Sequence, residues 1–174
     1  MNRLLLTAVL LSLALPASAQ VPPPPTSPAA QPQIDRLEIT DYGVYTMDEK
    51  VVSTNADGVT KRDSTNIRLA EQTLTVKAQM GVHFGFRYNV IGSPDGAPVD
   101  LRIVLVYPPG GLHNPDVPHP IYGAEFQSHR KIGEQSVYAG ITFGHEWGLV
   151  PGPWSVELWQ GDRKLASQTF TVVM

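Results

Sequence analysis

The chain has 174 residues, with 13 Lys and Arg, 16 Asp and Glu, five His and no Cys, and carries a net charge of −3 at neutral pH. The missing cysteine excludes a thiol nucleophile, a Cys-built zinc cage, a lipid-modified lipoprotein and a disulfide scaffold, so stability must come from an apolar core. With no run of five like charges, the sequence offers nothing to attract nucleic acid and no electrostatic membrane anchor.

At the start, Arg3 precedes an apolar run from Leu4 to Leu15, Pro16 ends it, and Ala17-Ser18-Ala19 supplies small residues for a signal peptidase. This pattern predicts a secretory signal peptide over residues 1–19, and hence a periplasmic or secreted protein. The run has 12 residues, short of the roughly 20 that a membrane-spanning helix needs, so no membrane span is expected after cleavage. Cleavage removes Arg3 and no acid, leaving 12 basic and 16 acidic side chains, net −4. Residues 20–33 follow as a proline-rich segment, and Val21 to Pro32 reads VPPPPTSPAAQP with six of the 16 prolines. Such a composition favours extended polyproline II and cannot bury a core. It reads as a disordered tail in preference to a tether, since no second domain exists for it to hold.

Residues 34–174 are expected to form one domain. Their recurring signal is period two, not 3.6. In GVHFGFRYNV, Val82, Phe84, Phe86, Tyr88 and Val90 share one parity, while His83, Gly85, Arg87 and Asn89 share the other. The same alternation marks VDLRIVLVYP (Val99, Leu101, Ile103, Leu105), IYGAEFQS (Tyr122, Ala124, Phe126) and SVYAGITF (Val137, Ala139, Ile141, Phe143). Val104 and Val106 make the Leu101 strand apolar on its second face too, which marks a central strand or an oligomer contact. Between the strands stand the turn signals NADG, GSPDGAP, PPGGLHNPDVPHP and GLVPGP. The C-terminal WSVELWQGDRKLASQTFTVV reads as a hairpin with two possible registers. A two-residue Gly161-Asp162 turn would pair Val156 with Ser167, whereas a three-residue loop pairs Trp154 with Phe170 and Leu158 with Ala166; burial favours the second. That register turns Trp159 outward beside Leu165. Short strands broken by Gly and Pro predict an all-β fold, an immunoglobulin-like antiparallel β-sandwich of seven to nine strands.

YGVY at Tyr42 to Tyr45, GVHFGFRY at Gly81 to Tyr88 and WGLVPGPWSVELWQGDRKLASQTFTV from Trp147 together resemble the bacterial domain of unknown function 3859 family, over about Ile34 to Val173. The resemblance implies a compact β domain in proteins that are often exported. It carries over no catalytic or ligand residue.

None of the common hydrolase, phosphate-loop, zinc-protease or EF-hand motifs is present, and no catalytic residue or cofactor is assigned. Gly92, Ser93 and Asp95 serve a turn. The acids Glu125, Glu146 and Glu157 would need to pair across a cleft to act as a glycosidase does, and nothing in the sequence brings two of them together. Four candidate binding residues remain. His83 and Arg87 flank Gly85 on the outward parity and read as the wet side of a sheet, with an interaction surface as the alternative. Trp159 and Leu165 form an outward apolar pair able to anchor a protein contact. His113, Asp116 and His119, spaced by three in a proline-stiffened loop, are of the types that ligate Zn(II) or Cu(II), although their spacing matches no known cage. The leading expectation is a noncatalytic protein-interaction module of the bacterial envelope with a protein partner there; the alternatives are a metal-binding module at the His113 loop or a carbohydrate-binding domain using the outward aromatics, of which Trp159 alone looks outward, Trp154 being on the inward parity and Trp147 at a strand-to-loop corner.

Overall fold

The computed structural model describes residues 31–174; the signal peptide and most of the proline-rich segment lie outside the described residues. Nine strands follow in chain order: β1 (Gln33–Thr54), β2 (Thr60–Glu71), β3 (Thr75–Lys77), β4 (His83–Ser93), β5 (Pro98–Val106), β6 (Gly123–Lys131), β7 (Val137–Thr142), β8 (Gly152–Gln160) and β9 (Arg163–Val173). They form two sheets, ordered β2-β1-β4-β7 and β3-β9-β8-β5-β6, packed as an immunoglobulin-like sandwich. All pairings are antiparallel except that of the three-residue β3 with β9.

The alternating rows meet between the sheets. Phe84, Phe86, Tyr88 and Val90 of β4 and Val137, Ala139 and Ile141 of β7 are buried from one side, and Leu101, Leu105, Trp154, Val156, Leu158 and Phe170 from the other. Trp154 is the hub, with its ring centroid 4.9 Å from Tyr107, 5.5 Å from Phe143 and 6.2 Å from Phe84. Such edge and tilted contacts suit the quadrupoles of the rings. β5 is a central strand, flanked by β6 and β8, but its outward Val106 stays 40% exposed. Tyr122 departs from the alternation: it lies just ahead of β6 and is exposed.

The β8–β9 hairpin combines both registers considered for it. Gln160 pairs with Arg163 across a two-residue Gly161-Asp162 turn, yet Leu158 pairs with Ala166 and Trp154 with Phe170. A bulge beyond Trp159 absorbs the difference by adding Leu165 to β9. Leu165 thereby turns toward the core and packs against it.

β1 and β2 continue past the sheet as a long arm. Its tip is the NADG turn, where the Asn55 side-chain oxygen accepts from the Asp57 and Val59 amides at 3.1 and 2.8 Å. The arm reaches across β7 to the other sheet, where Lys61 donates to the Gln127 carbonyl at 3.1 Å and Asn114 donates to the Asp57 carbonyl at 2.9 Å.

Four buried phenols bear on pH. Burial raises the pKa of Tyr45, Tyr107 and Tyr138 well above the usual value and pushes Tyr88 up to about 12. A raised value favours the folded state below the ordinary phenol pKa near 10. That stability is lost as pH climbs through the raised values, because unfolding then releases phenol protons. Phenolate absorbance and circular dichroism followed together above pH ~10 should show these tyrosines ionising with the unfolding transition and not ahead of it.

Candidate functional site

Three glycines stand in register across the outer face of the first sheet: Gly43 on β1, Gly85 on β4 and Gly140 on β7. A side chain at Gly85 would collide with the Ala139 carbonyl and the Gly140 backbone, and one at Gly140 would take the place of the Tyr138 hydroxyl. Close backbone approach is thus what the strand glycine serves. Over this row Tyr45 and Tyr138 meet edge to face, their centroids 4.9 Å apart.

The neighbouring outward residues are half-buried and paired, which corrects the wet-face expectation for His83 and Arg87. Arg87 binds the Asp41 carboxylate through both Nη2 (2.8 Å) and Nε (3.1 Å), and Tyr45 donates its hydroxyl to the same carboxylate at 2.5 Å. Asp41, more than any other neighbour, raises the Arg87 pKa. His83 Nδ1 lies 3.0 Å from Thr142 Oγ1 and 3.3 Å from Glu49 Oε1, and Thr142 donates to Glu49 at 2.5 Å. Arg62 completes the group, 3.5 Å from Glu49. The cause is the arm, which carries Glu49 and Arg62 to β4 and β7. Arg87→Ala strands Asp41 and Tyr45, so chemical denaturation should show a loss of about 1–2 kcal/mol, beyond the range of about ±0.5 kcal/mol of a solvated surface site.

His83, Thr142 and Glu49 include the residue types of a nucleophile, a base and an acid. A catalytic relay, however, needs one ring nitrogen on the nucleophile and the other on the acid. Here Nδ1 faces both, and the Thr142 hydroxyl is already committed to the carboxylate.

Behind this group a groove of about 720 Å³ runs between β7, β6 and the arm. Val137, Ala139 and Ile141 line it from β7, Phe126 and Arg130 from β6, and Arg62 from the arm. β7 ends its sheet, so one edge has no neighbouring strand among the described residues. Because the Phe143 amide donates to Val82, the antiparallel alternation turns the N–H and C=O groups of Tyr138, Gly140 and Thr142 away from β4. The Tyr138 hydroxyl, on the same strand, is buried without a hydrogen-bond partner among the described residues.

The other candidates are dispersed. Trp159 lies on the outer face of the second sheet, flanked by Arg102 and Lys164 at 5.7 and 5.1 Å from the indole and donating to Glu157 at 2.9 Å; the hairpin bulge separates it from Leu165. Glu125 pairs with Arg102 and Glu157 with Lys164, so both acids are tied to cations. Trp154 is core, and Trp147 packs against the core with His145 stacked on it at 4.9 Å. His113, Asp116 and His119 are exposed and are not brought together: no group of three or more His, Asp or Glu among the described residues is placed to hold a metal ion. Their loop instead turns its neighbour Asn114 inward, whose oxygen accepts from the Asp116 amide at 3.1 Å while its nitrogen holds the arm. His119 lies 3.7 Å from Asp57 of the arm tip. The arm and the β7 edge escape a reading of the sequence, although NADG and the outward Gly85 were their visible traces.

Comparison with known proteins follows the same lines. The profile of the family described as Domain of unknown function (DUF3859) matches residues 33–172. Among solved structures, an immunoglobulin-like protein (PA1606) from Pseudomonas aeruginosa is similar, with 26% identity and a TM-score of 0.53 over 83% of this chain and 98% of that one. No curated protein matches.

Proposed function

The chain belongs to the DUF3859 family, and from that premise we propose that it is an exported, noncatalytic interaction module of the bacterial envelope that holds an extended segment of a partner protein. The observation that carries the reading is the open edge of β7 facing the groove. Tyr138, Gly140 and Thr142 present backbone groups there that are unpaired among the described residues, beside apolar side chains of both sheets, which is what strand addition uses: main-chain hydrogen bonds for affinity and flanking pockets for side-chain choice. The six residues of β7 offer about 20 Å of edge. The His83 geometry supports the noncatalytic part. Export rests on the Leu4–Leu15 run and Ala17-Ser18-Ala19; N-terminal sequencing of the protein recovered from the periplasm or medium should begin at Gln20, and an intact N-terminus on all of it would refute export.

The groove is tested by panning a library of short linear peptides against the purified protein, then measuring amide hydrogen exchange with a selected peptide bound. Slowed exchange at Tyr138, Gly140 and Thr142 is expected. Peptides that bind and protect none of the three would overturn the reading.

A further inference from the structure

We propose that the β1–β2 arm is a strap that gates this groove, held shut by a latch in which Asn114 grips the arm tip. The inference rests on the reading of the groove as a peptide site, although its central test needs no peptide.

The strap has little of its own to hold it down. From Thr46 to Glu71 the only buried residue is Val59, so opening costs little apolar burial compared with unfolding the sandwich. What fixes it is a short series of polar contacts: Glu49 on Thr142 and His83 at the base, Lys61 on the Gln127 carbonyl midway, and Asn114 on the Asp57 carbonyl at the tip, with the exposed His119 3.7 Å from the Asp57 carboxylate beside it. The receiver at the tip is built where the strap is not. Asn114 is buried, its amide is engaged at both ends, and Pro115, Pro118 and Pro120 stiffen its loop. Gly58, with φ of +81°, lies against it so closely that a Cβ would come within 2.6 Å of the Asn114 nitrogen. The proline loop is therefore a seat shaped to the tip. A chain joining the β7 edge from the middle of a folded partner has no free end to thread under a closed strap, so the strap must lift.

The absence of cysteine makes paired labelling clean. Spin labels on S53C in the strap and E125C on β6, both at exposed positions, report the distance across the groove. In the otherwise unchanged protein one short distance should dominate. N114A, which strands the Asp57 carbonyl, should raise a longer-distance population about tenfold, and K61A, a substitution at a half-buried position outside the core, should raise it less. An unchanged distribution in the folded variants overturns the strap. With a peptide from the panning in hand, joining K61C to Q127C by a short cleavable bis-thiol reagent should slow its association at least tenfold, and cleaving the reagent should restore it. Unchanged association in the joined protein would likewise overturn the gating. If no peptide protects the β7 edge, the groove reading fails, while the label distances still decide whether the strap moves.

Discussion

Phe84→Ala is expected to destabilise the domain by about 3–5 kcal/mol, the cost of truncating a fully buried phenylalanine. Phe84 is fully buried, and its ring contacts Phe143, Phe170 and Trp154 at centroid distances of 5.1, 5.4 and 6.2 Å. Those three rings come from the β7 end, β9 and β8, so the cavity opens where both sheets meet and no single element can close it. Phe86→Ala should fall in the same range. Urea denaturation of both variants beside Arg87→Ala checks the ranking; equal losses in all three would mean that the two faces of β4 are packed alike.

Gly85→Val should cost about 3 kcal/mol, the upper end for overpacking. The added Cβ meets the Ala139 carbonyl and the Gly140 Cα, which are backbone and cannot swing aside. Relief would have to come from parting β4 and β7, and that disturbs the pairing on which the open edge depends. The expected signature is a lowered denaturation midpoint together with weaker protection of the β4 and β7 amides. An unfolding free energy within a few tenths of a kcal/mol of the parent's would show that the sheet yields at this row.

These two neighbours mark what a sequence can show of such a fold. Phe84 and Phe86 announce their burial because β4, like β5, β7 and β8, sets a regular apolar row against one core. β1 makes no such announcement. Register shifts beside Ile34, Ile39, Val44, Thr46 and Val51 break its alternation, and β2 has no buried residue at all, so neither carries the burial pattern that periodicity detects. The candidate sites suffer from the same gap. Arg87 reads as solvated until β1 brings Asp41 and Tyr45 beside it, and His83 until the arm brings Glu49. In the His113 loop, ligand-type side chains are conspicuous, but the residue that does the work there is Asn114, whose role depends on an arm tip 57 residues away in sequence.

The strap has one more consequence, for how copies of this protein behave together. A flat strand edge with unpaired backbone groups is a template for any other chain, its own copies included, and β-proteins that leave one open tend to assemble edge to edge. The second sheet meets this hazard at one border with β3, a strand of only three residues. At β7 no such shortening is present, and the arm lies across the edge in its place. A strap closed over the edge would also screen it from such pairing: loosening the strap at Asn114 should expose the edge, and self-association that grows with concentration is the form in which that exposure would be seen.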